Sequence, residues 1–489
     1  MPADGNRARV GISYPWVQQG WDFGVPPHDW DGKWANIKGN PVQGQTPPSV
    51  RPWDDKVDEY LDCFKCLGVT VIRWVLLGDC LNLGTAQWVR DNEWEVLSTR
   101  LPEGFIKDFR ALLEKLKARN EKDSTKNLKL LPVVLLPSAF WPGRQVVVWN
   151  KAEGPKESAY QKDGKTLLPE LRRRNGQRPI SWLKQIQDNH RKKVDAAGDF
   201  LVVKGGRADL LTGKRRQFFD EVLVPLLAAA RDYHDNIYAW EVLTEPELTL
   251  AVGPNVQKAS NTDGTPRERK NGEQSAGPST IYYDERDLVF SQEPESFKDY
   301  EPKFSQDDVR SFLVEAATKV IAHHFAWTVG FQYHASLADP RWALLDGQNV
   351  PEELKLRYLP NFHYYGKPRY SQPAPLPPHT RKPYAEIAIG EFPLAEPSGS
   401  SDDPKWKKKD GSDATSLAER LQIIQDAGYA QAIAWSARGG DNRSGWNANI
   451  AKAIAFHNGA SVCKKCEETF PQQFGIQPPT AIIPPLRLP

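Results

Sequence analysis

Sulfur is scarce in this chain. Its 489 residues hold five cysteines and one methionine, the first residue, and so few cysteines in a chain this long do not make a disulfide scaffold. Net charge is equally slight, +2 from 64 basic and 62 acidic residues, so the overall balance implies neither a nucleic-acid nor a membrane partner. No apolar run is long enough to span a bilayer. The opening residues Met1-Pro-Ala-Asp-Gly-Asn-Arg7 contain no apolar signal region; localisation stays open between the cytoplasm and secretion from a trimmed start. HExxH, a glycine-rich phosphate loop and GxSxG are all missing, and the candidate strands carry no His-x-His. Metallopeptidase, nucleotide-dependent, serine-hydrolase and metal-dependent amidohydrolase chemistries therefore lack their motifs. No cofactor is implied, and no metal is assigned to the chemistry.

Tryptophan, by contrast, is plentiful: 17 residues. Flat aromatic faces suit the apolar faces of sugar rings, although Trp equally fills a large core. Strand and helix patterns alternate from end to end. Apolar strand candidates lie at 10–14, 69–77, 128–136, 237–243, 326–331, 359–363, 385–391 and 429–436. Helical periodicity falls at 54–67, 105–118, 214–232, 305–324, 414–427 and 450–457, with Pro225 kinking the third and Ser305 with Asp308 capping the fourth. Eight continuous apolar strands with helices after most of them fit a parallel sheet buried on both faces. The expected fold is an α/β (β/α)₈ TIM barrel, with one helix absent where residues 366–383 are rich in proline. Residues 1–460 are expected to form one catalytic barrel with insertions at about 151–213 and 247–304, and 461–489 a C-terminal extension. Both insertions follow strand C-termini and so would overhang the functional face. A monomer is the expected state.

Two strands end on a carboxylate followed closely by proline. One closes Trp240-Glu-Val-Leu-Thr-Glu245-Pro246, and the other closes Ala385-Glu-Ile-Ala-Ile-Gly-Glu391-Phe-Pro393. Barrel enzymes keep their chemistry at strand C-termini, and a pair of carboxyls set there suggests cleavage of a glycosidic bond. Glu-Pro by itself is uninformative, for it recurs at Glu293, Glu301 and Glu396. Strand alternation puts Glu241 and Leu243 on the face of Glu245, inside the barrel, where a buried Glu241 needs a cation.

These motifs resemble those of the clan A glycoside hydrolases, the retaining (β/α)₈ enzymes that include the family 5 cellulases and mannanases. The run Trp240 to Pro246 is similar to that group's acid/base motif on strand four, and Gly390-Glu391-Phe392 to its nucleophile motif on strand seven. The resemblance implies Glu245 as acid/base and Glu391 as nucleophile, acting on a poly- or oligosaccharide. It further implies Arg73 on strand two, Thr244, His363 and Tyr365 on strand six, and Trp435 on strand eight as substrate-binding or supporting residues. On this reading Arg73 keeps Glu391 ionised, Tyr365 donates to the same carboxylate, and His363 meets the sugar or the acid/base. Trp435 is the floor beneath the scissile ring. Repulsion between the carboxyls, with burial, would raise the pKa of the acid/base.

Two departures mark a remote member. Thr244 stands where the group carries Asn, and the histidine that family 5 places after strand three is missing from Leu136-Pro-Ser-Ala-Phe140. The rival reading is a carbohydrate-binding barrel that has lost catalysis. Residues 151–216 carry 17 Lys/Arg against 8 Asp/Glu, densest at Arg172-Arg-Arg174 and Arg191-Lys-Lys193, which fits either a solvated loop or attraction of an anionic glycan. Two Cys-x-x-Cys pairs, Cys63/Cys66 and Cys463/Cys466, lie on the first helix and beyond the last, elements that barrel closure makes neighbours. They fit a structural zinc, or simply buried small apolar residues near Gly68.

Overall fold

The structure is a computed structural model. It describes residues 9–14, 23, 54–77, 83, 86–90, 93–96, 99–101, 104–125, 127–140, 145–149, 200–204, 208–249, 279–284, 292–294, 304–332, 334–337, 352–365, 387–395, 406–408, 410–429, 431–437, 446–463 and 466.

Eight parallel strands close into a barrel: β1 (Arg9–Ser13), β2 (Val71–Val75), β3 (Lys129–Val133), β4 (Trp240–Thr244), β5 (Trp327–Phe331), β6 (Asn361–His363), β7 (Ala388–Pro393) and β8 (Gln431–Trp435). Each pairs with its sequence neighbours, and β1 returns to β8 with Arg9 opposite Gln431 and Ile12 opposite Ala434. Among the described residues, helices follow seven of the eight: α1 (Asp54–Cys66), α2 (Phe105–Lys122), α3 (Arg215–Phe218, Phe219–Leu223 and Val224–Ala229), α4 (Gln306–Ala322), α5 (Glu352–Leu356), α6 (Leu417–Asp426) and α7 (Ala448–His457). This is the (β/α)₈ architecture. The expected helix gap at 366–383 lies outside the described residues, as do the basic stretches at 172–174 and 191–193.

Local chemistry accounts for the elements. α2 buries Phe105, Phe109, Leu112, Leu113 and Leu116, a stripe at helical spacing. α4 begins at a capping box in which Ser305 and Asp308 satisfy each other's backbone N–H groups. α3 contains a π turn, Phe219–Leu223, immediately before the segment that begins at Val224 and holds Pro225. Proline lacks the N–H an α ladder requires, so the kink read from the sequence takes the form of a widened turn. Val71, Leu131, Ala239 and Ile433 form a small apolar layer inside the barrel, separate from the main core between sheet and helices. Among the described residues, no helix is long and apolar enough to cross a membrane.

The insertions also contribute regular structure. Three antiparallel strand pairs, Ala86–Arg90 with Glu93–Val96, Gln145–Trp149 with Phe200–Lys204, and Ser279–Asp284 with Gln292–Pro294, join through parallel pairings into one six-stranded sheet. They leave the barrel after β2, β3 and β4 respectively. The composition of 247–303 argues against order, yet Ser279-Thr-Ile-Tyr-Tyr-Asp284 is β-branched and aromatic, and that stretch is where the strand forms.

Strict alternation fails in both strands that carry the strand-end glutamates. Opposite β5, Glu241 pairs with Thr328 but Thr244 pairs with Gly330, so three residues of β4 span two of β5. This bulge turns Thr244 inward beside Glu241 and sends Leu243 to the outer core. The expectation that Leu243 shares the inner face with Glu241 is thereby overturned. β7 slips similarly between Phe362 and His363 of β6, where Ile389 and then Glu391 are the partners. Gly390 is the extra residue. A Cβ there would lie 1.8 Å from the Asn361 side-chain oxygen, so the bulge requires glycine.

Candidate active site

The site is built at the C-terminal mouth around one guanidinium. Arg73, fully buried on β2, donates from Nε and Nη2 to the two oxygens of Glu241 at 2.8 and 2.7 Å. Nη2 also reaches the Thr244 hydroxyl at 2.8 Å, and Nη1 lies 2.7 Å from Glu391 Oε1. A planar fork of donors suits a two-carboxylate partnership of this kind. Burial opposes the charge on Arg73, but Glu241 and Glu391 outweigh it and keep the group protonated. Burial likewise pushes Glu241 up, and Arg73 more than reverses that, holding its carboxyl below the ordinary range. Glu241 is thus the anionic counterweight of Arg73, the cation partner that its interior position demanded.

Glu391 is nearly buried. Its Oε1 faces Arg73, and its Oε2 accepts from the Tyr365 hydroxyl and lies 3.3 Å from His363 Nδ1. Glu245, just past the end of β4, is more open at its side chain and meets the same His363 Nδ1 through Oε1 at 2.8 Å. One oxygen from each glutamate and a His363 nitrogen lie within 4.8 Å of one another. Glu245 also has a φ of 44°, a left-handed conformation that costs a non-glycine residue about 1–3 kcal/mol. Its N–H bonds to Gly330 O at 2.5 Å, which fixes the turn that carries the carboxylate. Arg420 on α6, fully buried, anchors the chain beyond Glu391 by donating to the carbonyls of Pro393 and Ala395.

Burial raises the Glu391 carboxyl above the ordinary carboxylate range; His363 and Arg73 oppose the rise and Glu245 adds to it. His363 is also raised: burial disfavours its charge, and the carboxylates of Glu391 and Glu245 more than compensate.

All seven residues singled out in the sequence lie around this mouth, though they are engaged differently. Arg73, Thr244, Glu245, His363, Tyr365 and Glu391 form one continuous network. The Thr244 hydroxyl is taken up inside it, accepting from Arg73 and lying 3.5 Å from His363 Nε2. Trp435 ends β8 half-buried, with the Arg73 guanidinium carbon 5.9 Å from its ring centre and a cis peptide to Ser436. Two residues escaped the sequence reading. Gly330 of β5 faces the network, and a Cβ on it would come within 2.4 Å of Glu241 Oε1, 2.9 Å of His363 Nε2 and 3.0 Å of Thr244 Oγ1. Gly330→Ala should therefore cost about 1–3 kcal/mol of stability. It should also lower kcat by about 100-fold, because small misplacements of reacting groups carry penalties of that size. Steady-state kinetics beside thermal unfolding would check both.

The second is Glu247, for which the second acid of Glu245-Pro-Glu247 was the available signal. Its carboxylate accepts from the Gln332 N–H at 3.1 and 3.2 Å and from the Ser336 hydroxyl at 2.5 Å. Burial pushes it up to about 7; the bonds from Ser336 and Gln332 oppose that, and Glu245 adds to it. The folded state then keeps a proton that the unfolded chain releases near 4.5. Glu247 therefore favours folding fully below pH 4.5, and that contribution is lost as pH rises through about 7. In Glu247→Gln, which cannot ionise, the fall in melting temperature between pH 5 and about pH 8 should be shallower than in the wild type.

A closed (β/α)₈ barrel with two glutamates close together at its C-terminal mouth defines the structural class. No protein-family model matches the sequence, and no curated protein does. Among solved structures the chain is similar to an endo-1,4-beta-mannanase from Eisenia fetida, at 14% identity over 93% of this chain and 92% of that one, with a TM-score of 0.47. It is also similar to a beta-1,4-mannanase from the sea hare Aplysia kurodai, at 14% identity over 93% of each chain and a TM-score of 0.44. A family 1 β-glucosidase from Thermotoga maritima aligns at 10% identity over 88% of this chain and 89% of that one, with a TM-score of 0.33. The likeness is one of fold, and the resemblance to clan A enzymes is remote.

Proposed function

We propose that this chain is a retaining glycoside hydrolase acting on a poly- or oligosaccharide, with Glu391 as nucleophile and Glu245 as acid/base. The observation that carries this reading is the spacing of the carboxyls, whose oxygens approach within 4.8 Å. Double displacement works at about 5–5.5 Å between carboxyl groups, whereas inversion needs about 6.5–9.5 Å to admit a water. Donor count supports the division of roles. Glu391 faces Arg73, Tyr365 and His363, all of which favour its anion, while Glu245 meets His363 through one oxygen. Glu391 is accordingly assigned the part of nucleophile, and Glu245, the more open of the two, the part of acid/base.

In the first step a Glu391 oxygen bonds to the anomeric carbon as the glycosidic bond breaks, and Glu245 gives its proton to the departing oxygen. In the second, Glu245 takes a proton from water, whose oxygen displaces Glu391 and regenerates both carboxyls. His363, donating to Glu245 Oε1, leaves Oε2 to handle the proton. Trp435 offers its half-buried ring to the sugar. The test is a screen of polysaccharides and aryl glycosides with the first-formed anomer read by NMR. Product of retained configuration is expected; an inverted product would exclude double displacement. Binding of glycans without turnover of any would favour a carbohydrate-binding barrel, a reading to which the inward engagement of the Thr244 hydroxyl lends support.

A further inference from the structure

At the opposite end of the barrel, four cysteines converge. Cys63 and Cys66 occupy the last turn of α1, and Cys463 and Cys466 follow α7. The sulfurs of Cys66, Cys463 and Cys466 lie within 4.8 Å of one another, and the Cys63 thiol adjoins that of Cys466. None of the four is in a disulfide. The Cys466 N–H turns back onto the Cys463 carbonyl at 2.8 Å, curling the second pair so that both sulfurs face α1. These positions are separated by about 400 residues of sequence, yet the chain is held tightly there. Asn458 donates to the Leu67 and Val10 carbonyls and accepts from the Val10 N–H, and a Cβ on Gly68 would lie 3.0 Å from both Ala460 and Asn458.

Four thiols packed together are poor company as either acids or anions. A dication removes that penalty by taking the sulfurs as thiolates. With zinc–sulfur bonds of about 2.3 Å, a tetrahedral site sets sulfurs about 3.8 Å apart, within the spacing of the Cys66, Cys463 and Cys466 sulfurs.

We propose that Cys63, Cys66, Cys463 and Cys466 bind one structural zinc ion as a tetrathiolate that clasps the first helix to the chain beyond the last. Binding releases the four thiol protons and leaves no open coordination position, so the ion takes no part in catalysis. The location agrees: the cluster joins the C-terminal end of α1 to the chain after α7, on the N-terminal face of the barrel, away from Glu245 and Glu391.

The experiment uses the full chain purified without chelator or added metal. Elemental analysis after dialysis should find one zinc per chain, and replacement by Co(II) should give the intense near-ultraviolet thiolate charge-transfer band of a tetrahedral site. Cys463→Ser with Cys466→Ser should lose the zinc and lower the melting temperature, while Cys80→Ser, which changes the fifth cysteine, should retain both. If the double variant does not fold, the wild type still decides: titrating its thiols with a mercurial should release the zinc to a colorimetric chelator in step with four sulfurs. Protein that is zinc-free and gives no charge-transfer band with Co(II) would overturn the proposal. So would peptide mapping that finds these cysteines paired as disulfides.

Discussion

Glu391→Ala is expected to abolish turnover of every glycoside, by about 10⁴-fold or more, because it removes the covalent step itself. Glu245→Ala should behave differently. Substrates whose leaving group needs no proton, such as dinitrophenyl glycosides, should still form the glycosyl-enzyme and then stall, since no base activates water. A burst followed by slow turnover is the expected trace. Azide should restore turnover in Glu245→Ala and yield a glycosyl azide of retained configuration, whereas any azide product formed by Glu391→Ala should be inverted, because azide then displaces the leaving group directly. Exchanged behaviour of the two variants would reverse the assignment. Full activity in both would remove these residues from the chemistry altogether.

Arg73→Met carries the largest expected penalty in stability. It strips Glu241 of its bidentate partner while leaving that carboxylate wholly buried, a loss that typically costs about 3–5 kcal/mol. Replacing both charges, as Arg73→Met with Glu241→Leu, should recover most of that loss, because the buried anion is then gone too. Denaturant unfolding of the two single variants and the double variant gives the coupling directly. Activity should not recover with stability: Glu391 loses its Arg73 contact in both cases. Simple addition of the single-variant losses would show that the two side chains do not act as a pair.

Much of this architecture was legible in the residues. Val69 to Leu77 and Leu128 to Leu136 read as strands because barrel strands are apolar on both faces, and Gly68 and Gly428, both at positive φ, mark the turns out of α1 and α6. Glu241 and Arg73 stood out as charges within such runs, and burial left them only each other and the nearby glutamates to pair with. What escaped was whatever depends on the neighbouring strand. Alternation assigns Leu243 inward, but the pairing of Thr244 with Gly330 is set by hydrogen bonds across β4 and β5, which no single strand encodes. The six-stranded sheet escaped for the same reason, since its three strand pairs come from loops far apart in sequence. Glu247 was overlooked because its partners, Gln332 and Ser336, lie beyond β5.

The two bulges mean that this barrel counts in threes where its chemistry sits. Removing one residue between Glu241 and Thr244, or deleting Gly390, would return β4 or β7 to an even rhythm and make the sheet more regular. It would also rotate the following glutamate toward the helices, away from Arg73 and His363. A designer who idealised these strands would obtain a tidier scaffold with an empty mouth, so the irregularities belong to the working parts of the molecule.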